Sequence, residues 1–422
     1  MGCAQPRDKE TKVAFDTTEQ QKLHHTFDQL VHGSSDKTQL SEQAIVSHFP
    51  ENPAFASKLY RWMSQNSETG QVTFEVFMAS LELLLKEQLD YYLVQYHFRT
   101  FEKVEIMALI SLDNRDIDRD LFERLTISYS QALIFMKEVL SIFFQGKTTK
   151  ENLDDIASKV LVTGLFGSTA SMDYISFIAA LKTQLPFINK VIKQYFSVKF
   201  MDTEPKIQLP KLSKGSEILN DQLLGLFYLS HGAFQNVNQL TLLYSTSSSK
   251  TDFDTLSKTL LNYESPTLIL IKHLERFDQE ESAQSDSYYI FGGYCSTPWR
   301  NQPANSGDSN SYVFSLLPRF RNFFTPFGEG GRSYAYLCTE PKGNAKKGLG
   351  FGGDNYKTFR IWLDEDLFGK SYVNAEDRTF EKGYLMDHYV KKLKIQHIEV
   401  WGLGAEHYIQ SQDVLRQTEL AQ

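Results

Sequence analysis

Phe359-Arg360-Ile361-Trp362-Leu363-Asp364-Glu365-Asp366-Leu367 is the stretch on which the fold of this chain turns. Apolar and polar residues alternate from Phe359 to Leu363, the period of a β-strand, and the three carboxylates that follow stop it. Just upstream, Gly348-Leu349-Gly350-Phe351-Gly352-Gly353-Asp354 supplies residues that tolerate φ > 0, so a tight turn between strands is predicted there. Further out, short β-rich runs separated by Gly, Ser, Asn and Pro cover Thr241 to Tyr244, Thr267 to His273, Tyr288 to Phe291, Tyr334 to Cys338 and His397 to Val400. Short connections make this an antiparallel pattern. Two sheets packed as a sandwich, with peripheral helices at about Glu217 to Leu226 and Asp252 to Leu261, are the economical architecture.

The first half has a different texture. From Thr18 to about Lys199 apolar residues recur at three and four, as in Leu23, Phe27, Leu30 and Val31, so amphipathic helices are expected. Long ones are predicted over Phe74 to Phe98 and Leu121 to Phe144, and Pro186 and Pro205 punctuate the exit. Gly70-Gln71-Val72-Thr73-Phe74 and Ser171-Met172-Asp173-Tyr174-Ile175 each look like the second half of an EF-hand. A calcium loop needs oxygens at positions one, three and five and a bidentate Glu at twelve. With Gly70 at position six those places hold Gln65, Ser67, Thr69 and Val76, so both segments read as structural pseudo-EF-hands and no metal is expected. The acidic run Asp113, Asp116, Asp118, Asp120 and Glu123 lacks a central glycine and reads as helix-capping acids. The fold class is thus α+β multidomain: a tail over 1–17, an all-α EF-hand-like domain over 18–203, the β-sandwich with peripheral helices over 204–404, and a C-terminal helix over 405–422.

Composition bounds the function. The 422 residues carry 41% hydrophobic and 23% charged residues, the make-up of globular domains with full cores. A formal charge of -8 with no long Lys/Arg run argues against nucleic acid. Three widely spaced cysteines, Cys3, Cys295 and Cys338, form neither a disulfide framework nor a CxxC site, which suits a reducing cytosol. No apolar run is long enough to span a bilayer, and the N-terminus lacks a secretory core. Met1-Gly2-Cys3 offers Gly2 for myristate and Cys3 for palmitate, with Pro6 where the motif wants Ser or Thr; an unmodified tail is the alternative reading.

Enzymatic motifs are wanting. Gly348-x-Gly350-x-x-Gly353 matches a dinucleotide fingerprint in form, but a strand follows it where a helix N-terminus is required. There is no GxSxG elbow and no HExxH. Cys338, beside apolar Leu337, reads as a buried inert thiol, and His231 and His273 read as core or rim residues. Glu399, between Ile398 and Val400, either points outward or pairs internally. The loop Ser296 to Ser311 is either a recognition loop or unpatterned chain.

The glycine run, the Phe359 to Leu367 segment, Thr379-Phe380 and Ile398-Glu399-Val400-Trp401-Gly402 resemble, in order and spacing, the C-terminal signature of TLDc domains. Leu268-Ile269-Leu270-Ile271, Ile290-Phe291-Gly292-Gly293-Tyr294 and Pro298-Trp299 are similar to the family's earlier strands. One departure is that Asp377-Arg378 stand where many members carry a cysteine before the Thr-Phe pair, so a redox role for that cysteine is not carried over. With an acylatable Gly2 and an EF-like helical half, the chain resembles the mTOR-associated branch. The resemblance implies a non-enzymatic regulator with no cofactor and no catalytic set. It would bind the peripheral catalytic sector of V-ATPase at lysosomal or vacuolar membranes, with links to mTOR-pathway proteins or oxidative-stress resistance. Asp364, Glu365 and Asp366 are the candidate partner-binding surface. Tyr408, Ile409, Val414 and Leu415 are the apolar anchors of a C-terminal helix that either folds back or inserts into a partner. A calcium-responsive adaptor, and a hydrolase or antioxidant enzyme, are the competing readings.

Overall fold

The computed structural model describes residues 15–32, 36–50, 53–65, 67, 69–85, 126–144, 153–204, 208–275, 287–326, 334–353, 358–386 and 392–404. Asp16 starts α1 (Thr17–Val31) with a reciprocal cap, its carboxylate accepting from Glu19 N while the Glu19 carboxylate accepts from Asp16 N. Leu23, Phe27 and Val31 form the buried stripe that their spacing predicts. After it come β1 (Gln39–Leu40), α2 (Glu42–His48), α3 (Pro53–Gln65), β2 (Val72–Thr73) and α4 (Phe74–Leu85). β1 pairs antiparallel with β2, Leu40 against Val72, and Gly70 at φ +73° turns the chain into β2. The arrangement recurs in β3 (Thr126–Ser128), α5 (Tyr129–Phe144), α6 (Leu153–Phe166), β4 (Ser171–Asp173) and α7 (Tyr174–Gln184), with Ile127 set against Met172. α8 (Ile188–Met201) ends this half.

Two expectations are corrected here. The first half is helical but not all-α, since it carries two two-stranded ribbons. The helix expected from Leu121 is described only from Tyr129: Thr126 to Ser128 pair with β4 and bury Ile127, so a partner strand outweighs local helical periodicity. Residues 86–98 of the other long helix, and Asp113 to Glu123, lie outside the described residues.

The second half contains β5 (Lys211–Leu212), α9 (Asp221–Ser230), β6 (Gln239–Ser245), α10 (Phe253–Leu261), β7 (Thr267–Glu275), β8 (Ser287–Cys295), β9 (Tyr312–Leu317) and β10 (Arg321–Phe323). β11 (Ala335–Cys338), β12 (Gly348–Phe351), β13 (Ile361–Asp364), β14 (Tyr372–Val373) and β15 (Ile395–Gly402) complete it. A seven-stranded sheet runs β10-β9-β8-β7-β15-β6-β5, and a four-stranded sheet runs β11-β12-β13-β14. Every pair in them is antiparallel except β5 with β6, so the large sheet is mixed. Gly348 to Phe351, expected as a turn, is itself a strand paired on both sides; the turn is Gly352-Gly353, at φ +69° and +114°.

β7 shows why the large sheet sits in the middle. Leu268 and Leu270 join one buried cluster, while Ile269 and Ile271 join another. A run of consecutive apolar residues, without alternation, is what a strand buried on both faces requires. One face meets Leu349, Phe351, Ile361 and Leu363 of the small sheet, and the other meets α9 and the first-half helices. α9 is correspondingly buried from Gln222 to Ser230. It starts at Asp221, four residues after the predicted Glu217, because the Asn220 side chain accepts from Leu223 N and caps it there.

The cluster on the helix-facing side is continuous from Phe15 to Leu403, so the helical half and the sandwich share one core. Gly164 of α6 lies so close to Phe320 that a Cβ there would stand 1.9 Å from the Phe320 carbonyl oxygen.

Candidate functional site

The acidic turn after β13 is built from its own side chains. Asp364 accepts from Trp362 Nε1 and from Asp366 N, both at 3.1 Å, and Asp366 accepts from Gly369 N at 3.0 Å. Asp364 and Asp366 are therefore occupied in shaping the turn. Glu365 is exposed, and it shares Lys347 (3.6 Å) with Asp254 (3.1 Å) in a surface network of little energetic weight. Next to it, Phe368 is 40% exposed, a large apolar side chain on an otherwise polar rim. Sequence reasoning passed over Phe368; its signal was a second apolar residue after Leu367, where one suffices to anchor the turn. Gly2, Cys3, Tyr408, Ile409, Val414 and Leu415 lie outside the described residues.

Glu399 turns inward. Two residues apart on β15, His397 and Glu399 project from the same face. Glu399 is 1% exposed and accepts from Ser216 Oγ (2.6 Å), Glu217 N (2.8 Å) and Trp401 Nε1 (2.9 Å), with His397 Nε2 at 3.4 Å. Burial pushes its carboxyl up, but the hydrogen bonds from His397, Ser216, Trp401 and Glu217 outweigh this and hold it below the usual carboxylate range. His397 Nδ1 faces Thr246 Oγ1 at 2.7 Å and Ser247 Oγ at 3.2 Å. This hydroxyl, imidazole and carboxylate series has the outline of an activated nucleophile. The proton of Ser247 is directed elsewhere, to the Glu217 carboxylate, while Thr246 Oγ1 makes the shorter contact to the ring. What the arrangement does is pin the 216–219 segment to β15.

A second buried charge pair lies behind the glycine turn. Arg360 and Asp377 are both fully buried with Nη1 to Oδ2 at 3.8 Å, and Arg360 Nη2 also donates to Gly383 O. Burial lowers Arg360 to about 10 against the pull of Asp377, and burial raises Asp377 despite hydrogen bonds from Thr379 and Phe380. The guanidinium lies 4.9 Å over the Phe323 ring. The pair holds the irregular segment 374–386 against β13, with Asn374 Nδ2 donating to Phe359 O.

The other candidates are structural. Cys295 and Cys338 are free and buried, and burial pushes the Cys295 thiol up to about 11. His231 caps a short 3₁₀ turn by accepting from Ala233 N, packs on Tyr294 and Tyr312, and is held by burial down to about 4. His273 is buried and accepts from Lys394 N at 2.9 Å. The loop 296–311 is fastened by Trp299 Nε1 donating to Thr267 Oγ1 at 2.8 Å, by the bridges of Asn301 and Ser306 to β11, and across its ends by Ser296 N donating to Ser311 Oγ at 3.1 Å. Among the described residues no group of three or more His, Cys, Asp and Glu is placed to hold a metal ion, and no helix is long and apolar enough to cross a membrane.

The buried charged groups described above hold loops of the β-sandwich in place, and its acidic turn exposes Glu365 and Phe368. Residues 212–404, a little under half of the chain, match the family model of the TLDc domain. Among curated proteins it is 33% identical over 139 residues to the MTOR-associated protein MEAK7 of Danio rerio, covering 33% of this chain and 27% of that one. The Xenopus laevis protein of the same name is 27% identical over 164 residues, covering 39% and 32%. Oxidation resistance protein 1 of Homo sapiens is 30% identical over 214 residues, covering 50% and 21%. The matched segments thus span less than a third of these relatives.

Proposed function

We propose that this chain is a non-enzymatic regulator that binds the peripheral catalytic sector of V-ATPase at lysosomal or vacuolar membranes, linked to mTOR signalling. The likeness to proteins named for association with MTOR carries this reading, and the TLDc match supports it. In it the division of the chain falls at 203/204. The sandwich grips the pump through a surface that includes Glu365 and Phe368, the segment 405–422 adds an anchor, and Gly2 and Cys3 hold the chain at the membrane. Affinity then comes from complementary surface. The test is co-purification from membrane lysate under conditions that keep the pump assembled and conditions that dissociate it. Recovery of proton-pump subunits in either is expected, and recovery in neither defeats the reading. An intact-mass measurement of the N-terminus tests acylation separately.

A second reading, a calcium-responsive adaptor, is favoured by the paired helix–loop–strand–helix units, whose antiparallel ribbons and positive-φ Gly70 are EF-hand-like. Val76 at the place of the bidentate carboxylate opposes it. A calcium-dependent rise in melting temperature would favour the adaptor.

A further inference from the structure

We draw no further inference here: the strongest candidate, the groove between α1 and α2 lined by Thr26, Leu30, Ala44 and His48, carries none, because nothing among the described residues shows what covers it.

Discussion

At the scale of single residues, the chemistry of this protein is spent on holding chain segments together. Glu399 is ionised in the fold below the usual carboxylate range because His397, Ser216, Trp401 and the Glu217 amide converge on it. A depressed folded pKa gives stability that is complete above the unfolded value, about 4.3, and is lost as pH falls through the folded value. Glu399→Gln should therefore cost about 1–3 kcal/mol at pH 7, and the difference from the wild type should shrink below about pH 4. Urea midpoints measured from pH 7 to pH 3 check both the size and the sign. Arg360 and Asp377 lead to a different expectation. Asp377→Asn strands a buried guanidinium and should cost about 3–5 kcal/mol, whereas Arg360→Met combined with Asp377→Asn should recover most of the loss. Chemical denaturation of the two single variants and the double variant closes that cycle. The carboxylates of the acidic run were legible in the sequence. Which of them were free was not, since only the turn geometry commits Asp364 and Asp366 to Trp362 Nε1 and to backbone amides.

At the scale of elements, local signals held wherever one neighbour decided the structure and failed wherever a distant one did. α1 and α10 follow their periodicity and their caps at Asp16 and Asp252. Residues 217–220 read as the start of a helix, yet Glu399, far along the chain, takes the Glu217 amide and the Ser216 hydroxyl, and the helix begins only after its cap at Asn220. Thr126 to Ser128 similarly yield to β4. Gly164 gives the sharpest element-scale prediction: the backbone of α6 touches β10 through it, so Gly164→Ala, harmless to an isolated helix, must push the two apart. A loss of about 1–3 kcal/mol is expected, with faster amide exchange in residues 158–166 and at Phe320. Hydrogen exchange resolved by fragment reads this directly.

At the scale of the molecule, the buried cluster running from Phe15 to Leu403 means that neither half is complete without the other. The chain should therefore unfold in a single calorimetric transition with matching van't Hoff enthalpy, and two separated transitions would show independent domains. The sequence by itself determined the helical first half, most strands of the second, the position of its acidic turn, the presence of a glycine turn nearby, and the likeness to TLDc domains. These rest on periodicity, turn chemistry and motif order, all carried by residues near one another in the chain. The tertiary structure alone decided that the large sheet is buried on both faces, that Glu399 points inward, and that the Gln184 side chain closes the edge of β10 by bonding to Asn322 N and O. Each of these depends on groups more than a hundred residues apart meeting in space, and no local pattern encodes which distant partner will satisfy a buried charge or an open strand edge.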